Sequence, residues 1–102
     1  MLLQDKIAVV TGASRGIGRA TAKALAREGA VVIVNYNGSK ERADEVVSEI
    51  EKDGGKAKAI QCNVSDFEQA KEFFGGVVKE YGRIDILVNN AGITRDNLIM
   101  KM

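Results

Sequence analysis

The sequence predicts an α/β fold, a doubly wound parallel sheet with helices on both faces. Short apolar runs alternate along the 102 residues with longer segments whose apolar positions recur at helical spacing. Glycines separate most of these segments, and the chain contains no proline. Strands that alternate with helices are joined by right-handed crossovers into a parallel sheet, so this pattern specifies the fold class.

Four strands are predicted, at residues 6–11, 31–34, 56–62 and 84–89. The first is apolar enough to be buried on both faces, whereas the third alternates and is expected to be more exposed. Cys62 closes the third run and is interpreted as a buried strand residue. The expected spatial order is 3-2-1-4, with the switch point between the first and fourth strands.

Three helices are predicted between these strands. The first follows the early glycines and ends at Gly29, and the second is capped by Ser39 and ends near Gly54. The third starts at a capping box, residues 65–68, and stops at Gly82. Its apolar face is expected to pack in the core and consists of Phe67, Ala70, Phe74, Val77, Val78 and Tyr81. The pair Gly75-Gly76 inside this helix predicts a close helix contact or a bend.

Residues 96–102 resemble the first turn of a further helix, so we expect residues 1–102 to form a single, partial domain of a larger fold. The outer edge of the fourth strand would then be uncovered. We therefore expect the chain to dimerise, swap elements or rearrange until this edge is covered. Leu98, Ile99 and Met102 are expected to contribute to that contact.

Composition excludes several functional classes. The 15 Lys and Arg are balanced by 14 Asp and Glu and are mixed along the chain, which argues against a nucleic-acid partner. No apolar run approaches the roughly 20 residues that cross a bilayer, and a cytoplasmic protein is expected. The chain has no histidine and one cysteine, so histidine-dependent hydrolysis and a His- or multi-Cys metal site are excluded.

A glycine-rich turn, residues 11–18, joins the first strand to the first helix. The absence of side chains at Gly12, Gly16 and Gly18 permits a tight turn and close approach of the backbone to a pyrophosphate. The spacing is G-x-x-x-G-x-G, which differs from the usual G-x-G-x-x-G fingerprint. Its position predicts a Rossmann-like dinucleotide site, and a purely structural turn is the alternative.

The end of the second strand favours NADP(H) over NAD. An NAD-binding chain places Asp or Glu there to bind the ribose 2′-hydroxyl, but residues 35–39 contain no acid. Arg15 in the glycine-rich turn can pair with a 2′-phosphate, supported by Asn37 and Ser39. The alternative is that Arg15 is a solvated loop charge.

Two motifs together resemble the short-chain dehydrogenase/reductase superfamily: Thr11-Gly12-Ala13-Ser14-Arg15-Gly16-Ile17-Gly18 and Asn89-Asn90-Ala91-Gly92. Residues 92–102 further resemble the 3-oxoacyl-[acyl-carrier-protein] reductases of bacterial fatty-acid synthesis. The resemblance implies reduction of the ketone of a 3-oxoacyl thioester by NADPH, with the acyl carrier protein as substrate carrier. A homo-oligomer is expected from the uncovered edge of the fourth strand. The 102 residues correspond to less than half of a typical member.

The resemblance also implies residue roles. The pyrophosphate is expected along Gly12, Ser14, Arg15, Gly16, Ile17 and Gly18. Asn63 and Val64 match the pair that flanks the adenine, although many relatives have Asp at the position of Asn63. Asn90, Ala91 and Gly92 match the stretch beneath the cofactor ribose. For Asn89 and Asn90, stabilisation of the adjoining loop is the alternative role.

No catalytic residue is assigned within the chain. The asparagine, serine and Tyr-x-x-x-Lys pair of the family are expected beyond residue 102, so residues 1–102 alone are expected to be inactive. Tyr36 and Lys40 have the right spacing but lie on the adenosine side. A second hypothesis is that the chain is a non-catalytic nucleotide-binding or assembly module.

Overall fold

A computed structural model of the chain describes residues 2–12, 16–90 and 98–101. The strands are β1 (Ile7–Val10), β2 (Val31–Tyr36), β3 (Lys56–Gln61), β4 (Ile86–Asn89) and β5 (Leu98–Lys101). The helices are α1 (Gly16–Arg27), α2 (Lys40–Lys52) and α3 (Phe67–Tyr81). Within these ranges no helix is both long and apolar enough to cross a membrane.

The five strands form one sheet in the order β3-β2-β1-β4-β5. The first four are parallel, which confirms the predicted order 3-2-1-4 and the Rossmann-like fold class. Val9 at the centre of β1 pairs with Ile33 of β2 on one side and Leu87 of β4 on the other. The carboxyl ends of these four strands therefore lie along one edge of the sheet.

Alternate residues of β1 face different helices, which divides the core into two layers. Ala8 and Val10 pack with α1 and α2, whereas Ile7 and Val9 pack with α3. All four are buried, so β1 is the central strand that its apolar run predicts. The third strand alternates between exposed and half-buried positions, as expected for a strand at the edge of the sheet.

The predicted helix near the end of the chain is wrong at residues 98–101. These residues form β5, which runs antiparallel to β4 with Leu87 opposite Met100 and Val88 opposite Ile99. The expected uncovered edge of β4 is therefore wrong as well. The N–H and C=O groups along that edge need partners, and a neighbouring strand supplies them where a helix could not.

The core face of α3 agrees with the predicted one except at Phe67, Phe73 and Val78. Phe73 and Val77 are buried, and Phe74 and Tyr81 pack partly against them. Phe67, which was predicted to be in the core, is 76% exposed, and Val78 is 45% exposed. Ala70, Phe74, Val77 and Tyr81 of the predicted face are therefore buried or half-buried, and Phe73 joins them at i, i+4 spacing from Val77.

Gly75 and Gly76 contact nothing across their missing side chains. No atom of the described chain lies within 4 Å of a Cβ built at either position. The close helix contact predicted there is therefore absent among residues 2–12, 16–90 and 98–101. Gly82, by contrast, ends α3 in the left-handed conformation (φ 86°), as its position predicts.

Two helix N-termini also differ from the prediction. Ser39 occupies the N-cap of α2 but its side chain makes no capping hydrogen bond. At α3 the N-cap is Asp66 instead of Ser65, because the Asp66 carboxylate accepts the N–H of Gln69 at 3.2 Å. Ser65 instead hydrogen-bonds Asn63, which leaves Asp66 as the first residue free to cap the helix.

Candidate functional site

A cleft of about 390 Å³ opens at the carboxyl ends of the four parallel strands. It lies over the switch point between β1 and β4, where open α/β sheets bind their ligands. Its lining comes from the ends of all four strands and from α3: Thr11, Gly12, Asn35, Asn37, Cys62, Asn63, Val64, Ser65, Phe74, Leu87 and Asn89. Among these residues none carries a charged side chain, and four are asparagines.

Gly12, near the start of the glycine-rich turn, lines this cleft. Gly12 and Gly16 both have positive φ angles, 61° and 62°, which glycine adopts without strain. No neighbouring atom would meet a Cβ at Gly16, so its backbone angle is what calls for glycine there. Helix α1 begins at Gly16 and has no acidic residue in its first turn, so its N-terminus is favourable for an anion.

Thr11 joins the end of β1 to the end of β4. Its N–H donates to the carbonyl of Val88 at 3.0 Å, and its hydroxyl lies 3.1 Å from Oδ1 of Asn89. The same hydroxyl oxygen accepts the N–H of Asn90 at 2.9 Å. Asn90 in turn donates its side-chain Nδ2 to the carbonyl of Gly12 at 3.1 Å. These bonds hold the first glycine against the end of β4.

Asn35 joins the end of β2 to both neighbouring strands. Its Oδ1 accepts the N–H of Gly12 at 3.3 Å, and its Nδ2 donates to the carbonyl of Cys62 at 3.2 Å. The side chain is almost completely buried. The floor of the cleft is therefore built from paired backbone and amide groups.

Cys62 is buried in the same floor. Burial raises the pKa of its thiol above the ordinary value, and the carboxylates of Asp66 and Glu72 raise it further. The thiol therefore stays protonated at neutral pH and is not a nucleophile. Its contribution to the cleft is a small apolar surface.

The loop after β3 forms part of the lining of the cleft. Asn63 Oδ1 accepts both the N–H of Ser65, at 3.1 Å, and its hydroxyl, at 2.6 Å. The backbone N–H of Asn63 donates to the side chain of Gln69 at 3.1 Å. The acceptor oxygen of Asn63 is therefore engaged within its own loop, while Val64 packs partly against the core on the α3 side.

Asn37 lies at the outer rim of the cleft, after β2. Gln61 Nε2 donates to the carbonyl of Asn37 at 3.1 Å and approaches its Oδ1 at 3.4 Å. With its oxygen facing a donor, the Asn37 side chain retains an N–H group for a ligand. An N–H donor can bind an anion, whereas an acceptor at this place would instead favour a hydroxyl group.

The residues predicted from the sequence are only partly brought together. Gly12, Asn37, Asn63 and Val64 line the cleft, and Asn90 is joined to it through Gly12. Gly16, Ile17 and Gly18 form the first turn of α1, and Ser39 begins α2 outside the lining. Ser14, Arg15, Ala91 and Gly92 lie outside the described residues.

Seven lining residues are not among the predicted site residues, and three of them are polar residues at strand ends: Thr11, Asn35 and Asn89. Each is the first polar residue after an apolar stretch of a buried strand. That signal is visible in the sequence, because the carboxyl ends of parallel strands meet at one edge. Which of these polar groups face the cleft depends on strand register, which the sequence does not display.

Residues 6–102 match the family model described as short chain dehydrogenase. The chain belongs to this family. It is 58% identical over 97 residues to the 3-oxoacyl-[acyl-carrier-protein] reductase FabG of Staphylococcus aureus, an alignment that covers 95% of this chain and 39% of that protein. This short-chain dehydrogenase chain therefore spans about two fifths of the length of that curated relative.

Solved structures of other family members share the fold. A metagenomic short-chain oxidoreductase in complex with NADP is 42% identical, with a TM-score of 0.87 over 91% of this chain and 42% of that one. A short chain dehydrogenase from Burkholderia cenocepacia, also in complex with NADP, is 49% identical, with a TM-score of 0.85 over 93% of this chain and 39% of that one. The arrangement of the four parallel strands β1 to β4 is therefore that of the family.

Proposed function

We propose that this short-chain dehydrogenase chain is the NADP(H)-binding part of an oxidoreductase that reduces the ketone of a 3-oxoacyl-[acyl-carrier-protein]. The observation that carries the proposal is the cleft at the switch point between β1 and β4, with Gly12 in its lining. Residues 1–102 form one partial dinucleotide-binding domain in this proposal. The relatives of known structure with bound NADP support the choice of cofactor.

The residues of the chain fit a dinucleotide. The helix N-terminus at Gly16 and the positive φ of Gly12 suit a pyrophosphate, and the uncharged lining of the cleft suits an adenosine. We assign the pyrophosphate to the turn from Gly12 to Gly18 and the adenine to the loop at Asn63 and Val64. Asn90, Ala91 and Gly92 are assigned to the ribose on the nicotinamide side.

The 2′-phosphate is assigned to Arg15, with Asn37 and Ser39 beside it. No acidic residue lies at the end of β2, and the side chain of Asn35 there is already hydrogen-bonded to Gly12 and Cys62. Asn37 retains an N–H donor at the rim. An anionic group is therefore favoured there over a hydroxyl donor.

When bound, the nicotinamide supplies the hydride for reduction of the carbonyl. The chain's own residues bind the nucleotide and hold its orientation. The groups that protonate the product alkoxide are proposed to lie beyond residue 102, so a polypeptide of residues 1–102 alone is proposed to be inactive. The acyl-carrier-protein substrate is supported by the Staphylococcus aureus relative.

The test is calorimetric titration of NADP⁺ and NAD⁺ into the full chain and its Arg15→Ala variant. We expect NADP⁺ to bind about 10- to 150-fold more tightly than NAD⁺, the equivalent of one charge-assisted contact of about 1.5–3 kcal/mol, and Arg15→Ala to remove that preference. The matched control is Arg27→Ala, which removes the same charge at the opposite end of α1. Equal affinities in the wild type would contradict the cofactor assignment. Failure of a protein that continues beyond residue 102 to oxidise NADPH with 3-oxoacyl thioesters would contradict the reaction, and oxidation by residues 1–102 alone would contradict the proposed inactivity.

A further inference from the structure

A buried polar side chain lies beneath the cleft, at the end of β2. Asn35 is 1% exposed and follows the apolar residues Val31–Val34. The register places it beside Ile60 of β3, one strand away from the start of the glycine-rich turn after β1. An amide in such a position is tolerated only when its hydrogen-bonding groups are paired.

The contacts of Asn35 determine the orientation of its amide. Oδ1 faces a donor, the N–H of Gly12 at 3.3 Å. Nδ2 faces two acceptors, the carbonyls of Ile60 at 3.4 Å and Cys62 at 3.2 Å. Only one assignment of oxygen and nitrogen satisfies all three neighbours. The side chain therefore ties Gly12 directly to the end of β3.

The backbone of Gly12 is held at both its N–H and its carbonyl group. Its N–H is held by Asn35 from β2, and its carbonyl accepts Nδ2 of Asn90, which follows β4. Gly12 has a positive φ, so the chain changes direction at this residue as it enters the turn. The position of the turn relative to the cleft floor therefore depends on these two asparagines.

We propose that Asn35 is a positioning residue of the nucleotide site, which holds Gly12 over the end of β3 and so sets where the glycine-rich turn begins. This inference rests on the proposed binding of a nucleotide in the cleft. A purely structural Asn35 would change the stability of the fold and leave the nucleotide affinity of the folded protein unchanged. A positioning Asn35 changes that affinity separately from stability.

The substitution Asn35→Asp separates the two roles through pH. The protonated acid can accept the N–H of Gly12 and donate to one carbonyl, whereas the carboxylate faces two carbonyl oxygens and is repelled. Burial and these two oxygens raise the pKa of such an aspartate above the usual value of about 3.9. Among the described residues that line the cleft, Cys62 is the only titratable group, and Asp66 and Glu72 are the acidic groups that act on it.

We expect Asn35→Asp to bind NADP⁺ about tenfold more weakly than the wild type at about pH 8, and to recover to within about threefold at about pH 5. The matched control is Asn37→Asp, which adds the same charge to the exposed rim of the same cleft. Its weakening should persist at about pH 5, because an exposed aspartate is still ionised there. A ratio to wild type for Asn35→Asp that does not change with pH would overturn the inference.

Asn35→Ser provides a second test should the charged variant fail to fold. The shorter side chain cannot span Gly12 and Cys62, so we expect nucleotide affinity to fall about tenfold at a temperature where the protein is folded. Val46→Ala, a fully buried site on α2 away from the cleft, is the control for lost stability and should leave affinity unchanged. An equal loss of affinity in both variants, or no loss in Asn35→Ser, would overturn the inference.

A measurement without nucleotide distinguishes this inference from the proposed function. Hydrogen exchange of the Gly12 amide, followed by NMR, should be markedly faster in Asn35→Ser than in the wild type or Val46→Ala. Unchanged exchange would overturn the positioning role even where NADP⁺ binds normally. Failure of the wild type to bind NADP⁺ would contradict the proposed function, and the Gly12 amide would then still report whether Asn35 holds the turn.

Discussion

Buried polar side chains at the strand ends are fully paired. Within the part of the chain that the structure describes, no buried side-chain nitrogen or oxygen lacks a hydrogen-bond partner. Thr11 and Asn35 are each 1% exposed, and both bond to backbone groups of neighbouring strands. Because a satisfied buried amide resists rearrangement, these residues give the cleft a defined shape before any ligand arrives.

Asp85 also joins two strands, but at their amino ends. Its carboxylate accepts the N–H of Ile7 and the Nε–H of Arg83, each at 2.8 Å. Burial by itself would raise the pKa of this group, but the Ile7 N–H and the Arg83 guanidinium outweigh burial and hold the pKa of Asp85 below its ordinary value. The carboxylate therefore joins the start of β1 to the start of β4.

The lowered pKa of Asp85 predicts acid-sensitive stabilisation. Its contribution is fully present above the unfolded-state pKa of about 3.9 and is lost as the pH falls through the lower folded-state pKa. We expect Asp85→Asn to reduce the free energy of unfolding by about 1–2 kcal/mol at about pH 7, and by progressively less below about pH 4. Urea unfolding at several pH values measures this difference.

Asp53→Asn is the control for this prediction. The exposed Asp53 side chain makes no hydrogen bond or ion pair with the described residues, so its replacement should change the unfolding free energy by less than about 0.5 kcal/mol at either pH. A loss for Asp85→Asn that is the same at low and neutral pH would show that shape, and not charge, is what Asp85 contributes.

At the scale of the elements, one glycine inside α3 and the glycine that ends it have opposite backbone conformations. Gly76 lies inside the helix, whereas Gly82 ends it with a φ of 86° and donates its N–H to the carbonyl of Val78 at 2.7 Å. A Cβ built at either residue would meet no atom of the described chain within 4 Å. The two positions therefore differ in conformation and not in available space.

Alanine at these two positions should have opposite effects on stability. We expect Gly76→Ala to raise the free energy of unfolding by up to about 1 kcal/mol, because alanine is the better helix former. Gly82→Ala should lower it by about 1 kcal/mol or more, because the left-handed conformation is strained for any residue with a Cβ. Thermal unfolding followed by circular dichroism measures both.

The pair also tests what packs on the outer face of α3. A destabilising Gly76→Ala would contradict the expectation and would indicate that another segment or molecule contacts this face closely. Such a result would support the close contact at Gly75-Gly76 that the sequence predicts. Stabilisation by both substitutions would contradict the left-handed conformation of Gly82.

At the scale of the whole molecule, the sheet is closed at the β4 edge by β5 of the same chain. Self-association was predicted from an uncovered β4 edge, and that argument does not hold when residues 98–101 cover it. The oligomeric state stays a prediction. What the structure adds is a specific partner for β4, paired in a stated register.

Proline at two successive positions of β5 should expose the β4 edge. In Ile99→Pro/Met100→Pro at least one missing N–H faces β4, whichever of the two residues donates to the ladder. We expect faster hydrogen exchange of the β4 amides that face β5, and concentration-dependent association in sedimentation equilibrium, because an open edge pairs with another chain.

The matched control is Ile99→Ala/Met100→Ala, which keeps both backbone N–H groups. It should leave β4 exchange much less affected. Identical exchange in the proline variant and the wild type would contradict the pairing of β4 with β5. Faster exchange without association would show that another part of the protein covers the edge.

The sequence by itself determined the four parallel strands, the three helices and the order 3-2-1-4. These features follow from local patterns: the apolar run before Thr11, the helical spacing after Gly16 and the glycine at residue 82. The family resemblance followed from two motifs, each of them a short run of consecutive residues. Each of these signals is carried by neighbouring residues, so a single sequence displays it.

Only the tertiary structure decided which side chains meet. Phe73 and not Phe67 enters the core because the rotation of α3 is set by packing against β1 and β2. Residues 98–101 form a strand because the edge of β4 needs partners, a long-range demand that overrides their local helical pattern. Asn35 reaches Gly12, 23 residues away, because parallel register brings the ends of β1, β2 and β3 together. Such contacts depend on distances between elements, which no local pattern encodes.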